Sequence, residues 1–89
     1  MTWRALNYGT AENEEGTQVS RRGFRDVTYS HAGRQVTVDV EPGDRNLAVY
    51  TRSIKKWSDG AAVNEEERAK IVKDIEEAFR VLRVPIQIF

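Results

Sequence analysis

The apolar residues of this chain change their period at Asn64. Upstream, in QVTVDVE, Val36, Val38 and Val40 alternate with Thr37, Asp39 and Glu41. That is the period-two pattern of a strand with one buried face. Downstream, Ile71, Ile75, Ala78, Phe79 and Leu82 recur at three- and four-residue spacing, with Val72 beside them. That is the apolar stripe of an amphipathic helix. A sheet with one apolar face and a helix with one apolar stripe each need the other. The expected fold is therefore α+β: an antiparallel meander of three to five strands packed against one long helix in the C-terminal half. At 89 residues the chain is expected to form a single domain, 1–89.

Punctuation places the strands. Residues 7–16 hold two glycines and three glutamates with no apolar period, and read as a loop. A short strand precedes it at residues 2–5, where Trp3 and Ala5 share a side. Val27 and Tyr29 share the next apolar face. SHAGR, with Gly33 near its middle, suits a short hairpin turn. EPGDRN is a second turn, marked by Pro42 and Gly43, and LAVYTRSI, residues 47–54, is a third strand. Phe24, within RRGFR, is expected to anchor the first strand to the core. The helix opens on Asn64 as N-cap, with Glu67 three residues on as its capping-box partner. Glu65, Glu66 and Glu67 suit the positive end of the helix dipole, Arg80 and Arg83 the negative end. Pro85 ends it. In the tail PIQIF, Ile86 and Ile88 alternate, as a short edge strand or an apolar plug.

Charge narrows the function classes. Lys plus Arg and Asp plus Glu number 14 each, for a formal net charge of zero. A general nucleic-acid binder needs a surplus of positive charge to displace counterions, so that class is disfavoured. The chain has no cysteine, which removes disulfides, thiolate catalysis and cysteine zinc sites together. No apolar run approaches the roughly 18 residues of a membrane span. The opening MTWRALNYGTAENEEG turns acidic where a secretory leader would stay apolar, and the expected compartment is the cytoplasm.

Candidate chemistry is sparse. His31 falls in the expected hairpin turn, where a histidine is ordinarily solvated. Asp39, Glu41 and Asp44 lack the oxygen-ligand spacing of a calcium loop, and the first two occupy the polar face of their strand. RRGFR interleaves an aromatic with arginines, the weak form of a single-strand nucleic-acid signature. No phosphate-cradling glycine loop or nucleophile elbow occurs. No catalytic residue, metal ligand or cofactor is assigned, and a non-enzyme is expected.

One joint carries a resemblance. A strand ending SIKKW, the turn SDG and a helix opening NEEER resemble small α+β immunity proteins of bacterial polymorphic toxin and contact-dependent growth inhibition systems. The matching residues are Ser53, Ile54, Lys55, Trp57, Asp59 and Gly60, then Glu66, Glu67, Ile71, Ile75, Glu76 and Ala78. With a looser match through VSRRGF, the resemblance spans residues 19–79. It implies a protein that binds and neutralises a cognate toxin domain and does no chemistry, so no catalytic residues carry over. Many such toxins are nucleases with positive clefts, which an acidic block would plug. Glu12, Glu14 and Glu15 are the first candidates for toxin contact, and Glu65, Glu66 and Glu67 the second. Solvated surface charge is the plainer reading of either block. Trp57 is expected to cover the protein's own helix near Ile71 or Ile75, with direct toxin contact as its alternative. Gly60, Asn64 and Phe79 complete the expected structural set. The other functional reading is an interaction or regulatory module without a toxin partner, a homodimer through a strand edge or the tail.

Overall fold

The computed structural model describes residues 2–21 and 23–89. Its strands are β1 (Trp3–Asn7), β2 (Thr10–Asn13), β3 (Gln18–Arg21), β4 (Asp26–His31), β5 (Arg34–Pro42), β6 (Leu47–Val49) and β7 (Ile86–Ile88). One helix, α1 (Glu65–Val81), lies between β6 and β7 in the chain. The strands form one curled sheet in the order β1 to β7. The fold is α+β, and among the described residues the strands number seven rather than three to five. All pairs are antiparallel except β6 with β7, which is parallel. A parallel pair needs a crossover connection, and α1 supplies it.

The extra strands come from residues 7–16, which are a hairpin and not a loop. Their order rests on asparagines. Asn7 Oδ1 accepts the Gly9 N–H at 2.9 Å across the β1–β2 turn. Asn13 Oδ1 accepts the N–H groups of Glu15 and Thr17, each at 3.0 Å, across the β2–β3 turn. Side-chain acceptors of this kind fix turns that carry no apolar signal. The core-facing residues of β2 are Ala11 and Asn13, too small and too polar to announce a strand.

β5 organises the curl. Its residues from Arg34 to Asp39 pair with β4, in the register Tyr29↔Val36 and Val27↔Val38, and those from Val40 to Pro42 pair with β6. Its valines are buried and Gln35, Thr37, Asp39 and Glu41 exposed, as the alternation requires. The β4–β5 connection is two residues, Ala32 (φ 52°) and Gly33 (φ 79°), the left-handed pair of a tight hairpin. The strand expected over 47–54 stops at Val49. Beyond it a 3₁₀ turn, Thr51–Ser53, forms, with Ser53 Oγ donating to the Tyr50 carbonyl at 2.6 Å and accepting the Asp39 N–H at 2.8 Å.

The helix starts and stops by local rules. Asn64 Oδ1 accepts the Glu67 N–H at 2.8 Å, and Glu67 Oε1 accepts the Asn64 N–H at 3.0 Å, a complete capping box. At the other end Arg83 takes the left-handed conformation (φ 61°). The Arg83 N–H bonds the Arg80 carbonyl at 3.2 Å and the Val84 N–H the Phe79 carbonyl at 3.0 Å. This is a Schellman closure with arginine where glycine is usual. Pro85 then leads into β7, so the tail is an edge strand. Ile71, Ile75, Ala78 and Phe79 are buried against the sheet, and α1 is tied to it by Trp3 Nε1 donating to Glu77 at 2.9 Å. Among the described residues, no helix is long and apolar enough to cross a membrane.

Phe24 does not anchor a strand. It stands 80% exposed in the β3–β4 turn, and Tyr8 in the β1–β2 turn is 97% exposed. The core side of this sheet is already filled by the valines and by α1. Arg22, within RRGFR, lies outside the described residues.

Candidate functional site

Trp57 is positioned by a small loop hairpin, residues 55–63. The Val63 N–H bonds the Lys55 carbonyl at 2.8 Å, the Trp57 N–H the Ala61 carbonyl at 2.8 Å, and the Gly60 N–H the Trp57 carbonyl at 2.9 Å. Gly60 sits at φ 92°, a conformation side-chain-bearing residues avoid. The Ser58 N–H bonds the Gln35 carbonyl at 2.7 Å, and Ser58 Oγ accepts the Gln35 N–H at 3.1 Å, docking the loop on the start of β5. The indole is thereby pressed inward and left 6% exposed. It meets Tyr29 at a ring-centroid distance of 6.2 Å, and the Arg34 guanidinium lies 4.3 Å from its centroid.

Beside this indole opens a cavity of about 240 Å³ lined by Tyr29, His31, Ala32, Arg34, Trp57, Glu67, Lys70 and Ile71. Its floor is a polar relay. Tyr29 Oη donates to Asp74 Oδ2 at 2.6 Å, and Lys70 Nζ donates to the same oxygen at 3.2 Å. Asp74 is 3% exposed, and these two donors satisfy its buried Oδ2. Burial, then the Asp74 bond, pushes the Tyr29 phenol far above its ordinary pKa. At the rim, Arg34 bonds Asp59 at 3.0 Å and approaches Glu67 at 3.6 Å. The Ala61 N–H and then Arg34 hold the Asp59 carboxyl below the usual range. For Glu67 the Asn64 N–H acts first, and Trp57 and Arg34 add to it. The Trp57 indole N–H lies close enough to favour the Glu67 anion but completes no hydrogen bond with it. His31 is not a solvated turn residue. It ends β4, half-buried, with Nδ1 sharing a 2.6 Å hydrogen bond with Thr17 Oγ1.

The two acidic blocks divide between different surfaces. Glu15 reaches across to Lys70 Nζ at 4.0 Å, and Glu67 lines the cavity, so one residue from each block meets at this rim. Glu65 and Glu66 lie in the first turn of α1 but do not line the cavity, and Glu65 pairs with Arg68 at 2.9 Å, which in turn bonds the Ile54 carbonyl. Glu12 points to the opposite, helix-free face of the sheet, bonded by Gln18 at 2.8 Å and Arg4 at 3.3 Å. Those two bonds lower its pKa, Gln18 most. Glu14 accepts the Thr2 N–H at 2.8 Å at the sheet edge, away from the cavity. The sequence reading missed Asp74, Tyr29, Arg34 and Lys70. Asp74 was the legible one: an acid placed one residue before Ile75, on the buried stripe of α1.

The sheet curls around one helix, and the aromatic cavity opens beside that helix's first turns. The sequence model of the family described as Immunity protein 74 matches residues 24–88, and the chain belongs to that family. The match begins at Phe24, inside the 19–79 span of the sequence resemblance, and runs past its end through β7. The chain matches no curated protein and no solved structure.

Proposed function

We propose that this chain neutralises a cognate toxin domain by binding it stoichiometrically in the cytoplasm, without catalysis. Family membership over residues 24–88 carries the reading. The docking surface is Glu15 and Glu67 beside the Trp57 cavity, continued by Glu65 and Glu66 of the same helix turn; Glu12 and Glu14, on other surfaces, fall outside it. Support comes from the convergence of two blocks far apart in sequence on Lys70 and its cavity. A toxin with a positive cleft, as in a nuclease, would be steered to such a rim and blocked by it.

The test is co-expression. The C-terminal region of the product of the reading frame next to this gene is produced in a susceptible cell with and without this chain, and survivors are counted. Rescue together with co-purification is expected. A neighbour that kills regardless overturns the proposal.

A further inference from the structure

We infer that the end of the sheet formed by the β1–β2 and β3–β4 turns is a second docking surface, which takes an acidic, apolar segment of a protein partner. That the partner is a toxin rests on the proposal above; the chemistry of the segment does not. Tyr8 and Phe24 are the two most exposed large hydrophobic side chains among the described residues, at 97% and 80%. They stand on neighbouring turns, joined by the Arg21 N–H bonding the Gly9 carbonyl at 2.8 Å. With Gly9, Arg21 and Gly23 they line one cavity of about 470 Å³, and neither ring stacks on another aromatic. Single exposed apolar side chains are ordinary, but two rings across one cavity form a patch of the kind that partners cover.

Arg21 decides what that partner carries. Its side chain is half-buried, and among the described residues its guanidinium has no hydrogen-bond or ion-pair partner. Among those residues it is also the one charged member of the cavity lining, with no carboxylate there to neutralise it. Around it, Arg25 is taken by Glu41 at 3.5 Å, and Asp44 and Arg45 stand together in an adjoining cleft that Arg21 also lines. An incoming carboxylate therefore meets a free guanidinium, and the apolar groups beside it meet two rings. A nucleic-acid strand needs a run of such cations, and this lining has one, in a chain with no positive surplus. A second copy docked about a two-fold axis would set the Arg21 side chains of the two copies against each other. A small molecule would find little enclosure between two turn tips. Tyrosine, phenylalanine and arginine are the residues enriched at the cores of protein interfaces.

The experiment is a ¹⁵N NMR titration of the intact chain with three probes at matched ionic strength. They are the peptide acetyl-Glu-Phe-Leu-Glu-amide, its counterpart acetyl-Lys-Phe-Leu-Lys-amide, and a thymidine tetranucleotide. The Gly9 and Gly23 amides are read, with the buried Trp57 indole and the Trp3 indole, bonded to Glu77, as internal controls. Saturable movement of Gly9 and Gly23 is expected at millimolar acidic peptide, with binding at least about fivefold weaker for the other two probes. Arg21→Gln, and Tyr8→Ala with Phe24→Ala, should each weaken it at least about fivefold while the indole signals stay in place, which shows the fold intact. Silent glycine amides, equal binding of the lysine peptide, or variants that titrate like the parent overturn the inference. Tighter binding of the tetranucleotide also overturns it and makes this end a base-stacking surface. Acidic-peptide binding by a chain that gives no rescue removes the toxin and leaves the docking surface. Rescue with no peptide response removes the docking surface and leaves the immunity role.

Discussion

Trp57 is buried against Tyr29, stacked beneath Arg34, and set in place by the loop around Gly60. Removing the indole empties the seam between sheet and helix, so Trp57→Ala should cost about 3–5 kcal/mol in chemical denaturation. A midpoint and slope unchanged from the parent would mean the ring carries no core role. Tyr29 makes a pH prediction with a definite sign. Its folded-state pKa is raised, so its stabilisation is complete below the ordinary tyrosine value of about 10 and is lost as pH rises above it. The parent should therefore lose stability above about pH 10 more steeply than Tyr29→Phe, as measured by melting temperature across pH. Parallel curves would contradict the buried Tyr29–Asp74 bond. At this scale the sequence was least informative. Asp74 and Tyr29 are 45 positions apart and meet only because β4 and α1 pack together.

The two ends of α1 are closed by different chemistry. Its start is optimal: Asn64 and Glu67 satisfy each other. Its stop is not, because Arg83 holds a left-handed φ of 61° that glycine would adopt without strain. Arg83→Gly should stabilise the protein by about 0.5–1 kcal/mol, read as a rise in melting temperature. A fall would show that the Arg83 side chain contributes more than its backbone strain costs. The helix, β5 and the β4–β5 hairpin were legible because each joins a strong apolar period to a turn or cap signal. β2 was not, since Ala11 and Asn13 give its buried face no hydrophobic contrast. The third strand was read too long because Tyr50, Thr51 and Ile54 suit a strand, while Ser53 bonds back to the Tyr50 carbonyl and turns the chain. Phe24 was misread because apolar character alone cannot say which side of a filled sheet a turn residue faces.

Across the whole molecule, the zero charge balance is met by pairing, with Arg34 and Lys70 among the carboxylates of the rim and Arg25 against Glu41. Glu67 in the first turn of α1 and Glu15 in the β2–β3 turn meet around Lys70, while Arg21 and Arg25 lie at the opposite end of β3 and β4. No count of residues could locate that rim, because Glu15 and Glu67 become neighbours only through the hairpin of β2 and β3 and the helix above it. Calorimetric titration of the C-terminal domain encoded by the adjacent reading frame into this chain and into Glu15→Lys/Glu66→Lys tests the central claim most directly. The account predicts one-to-one binding by the parent, weakened by salt, and a loss of at least about tenfold in affinity for the variant, most of it in association rate. Equal affinity in the two proteins, or no binding by the parent, would contradict it.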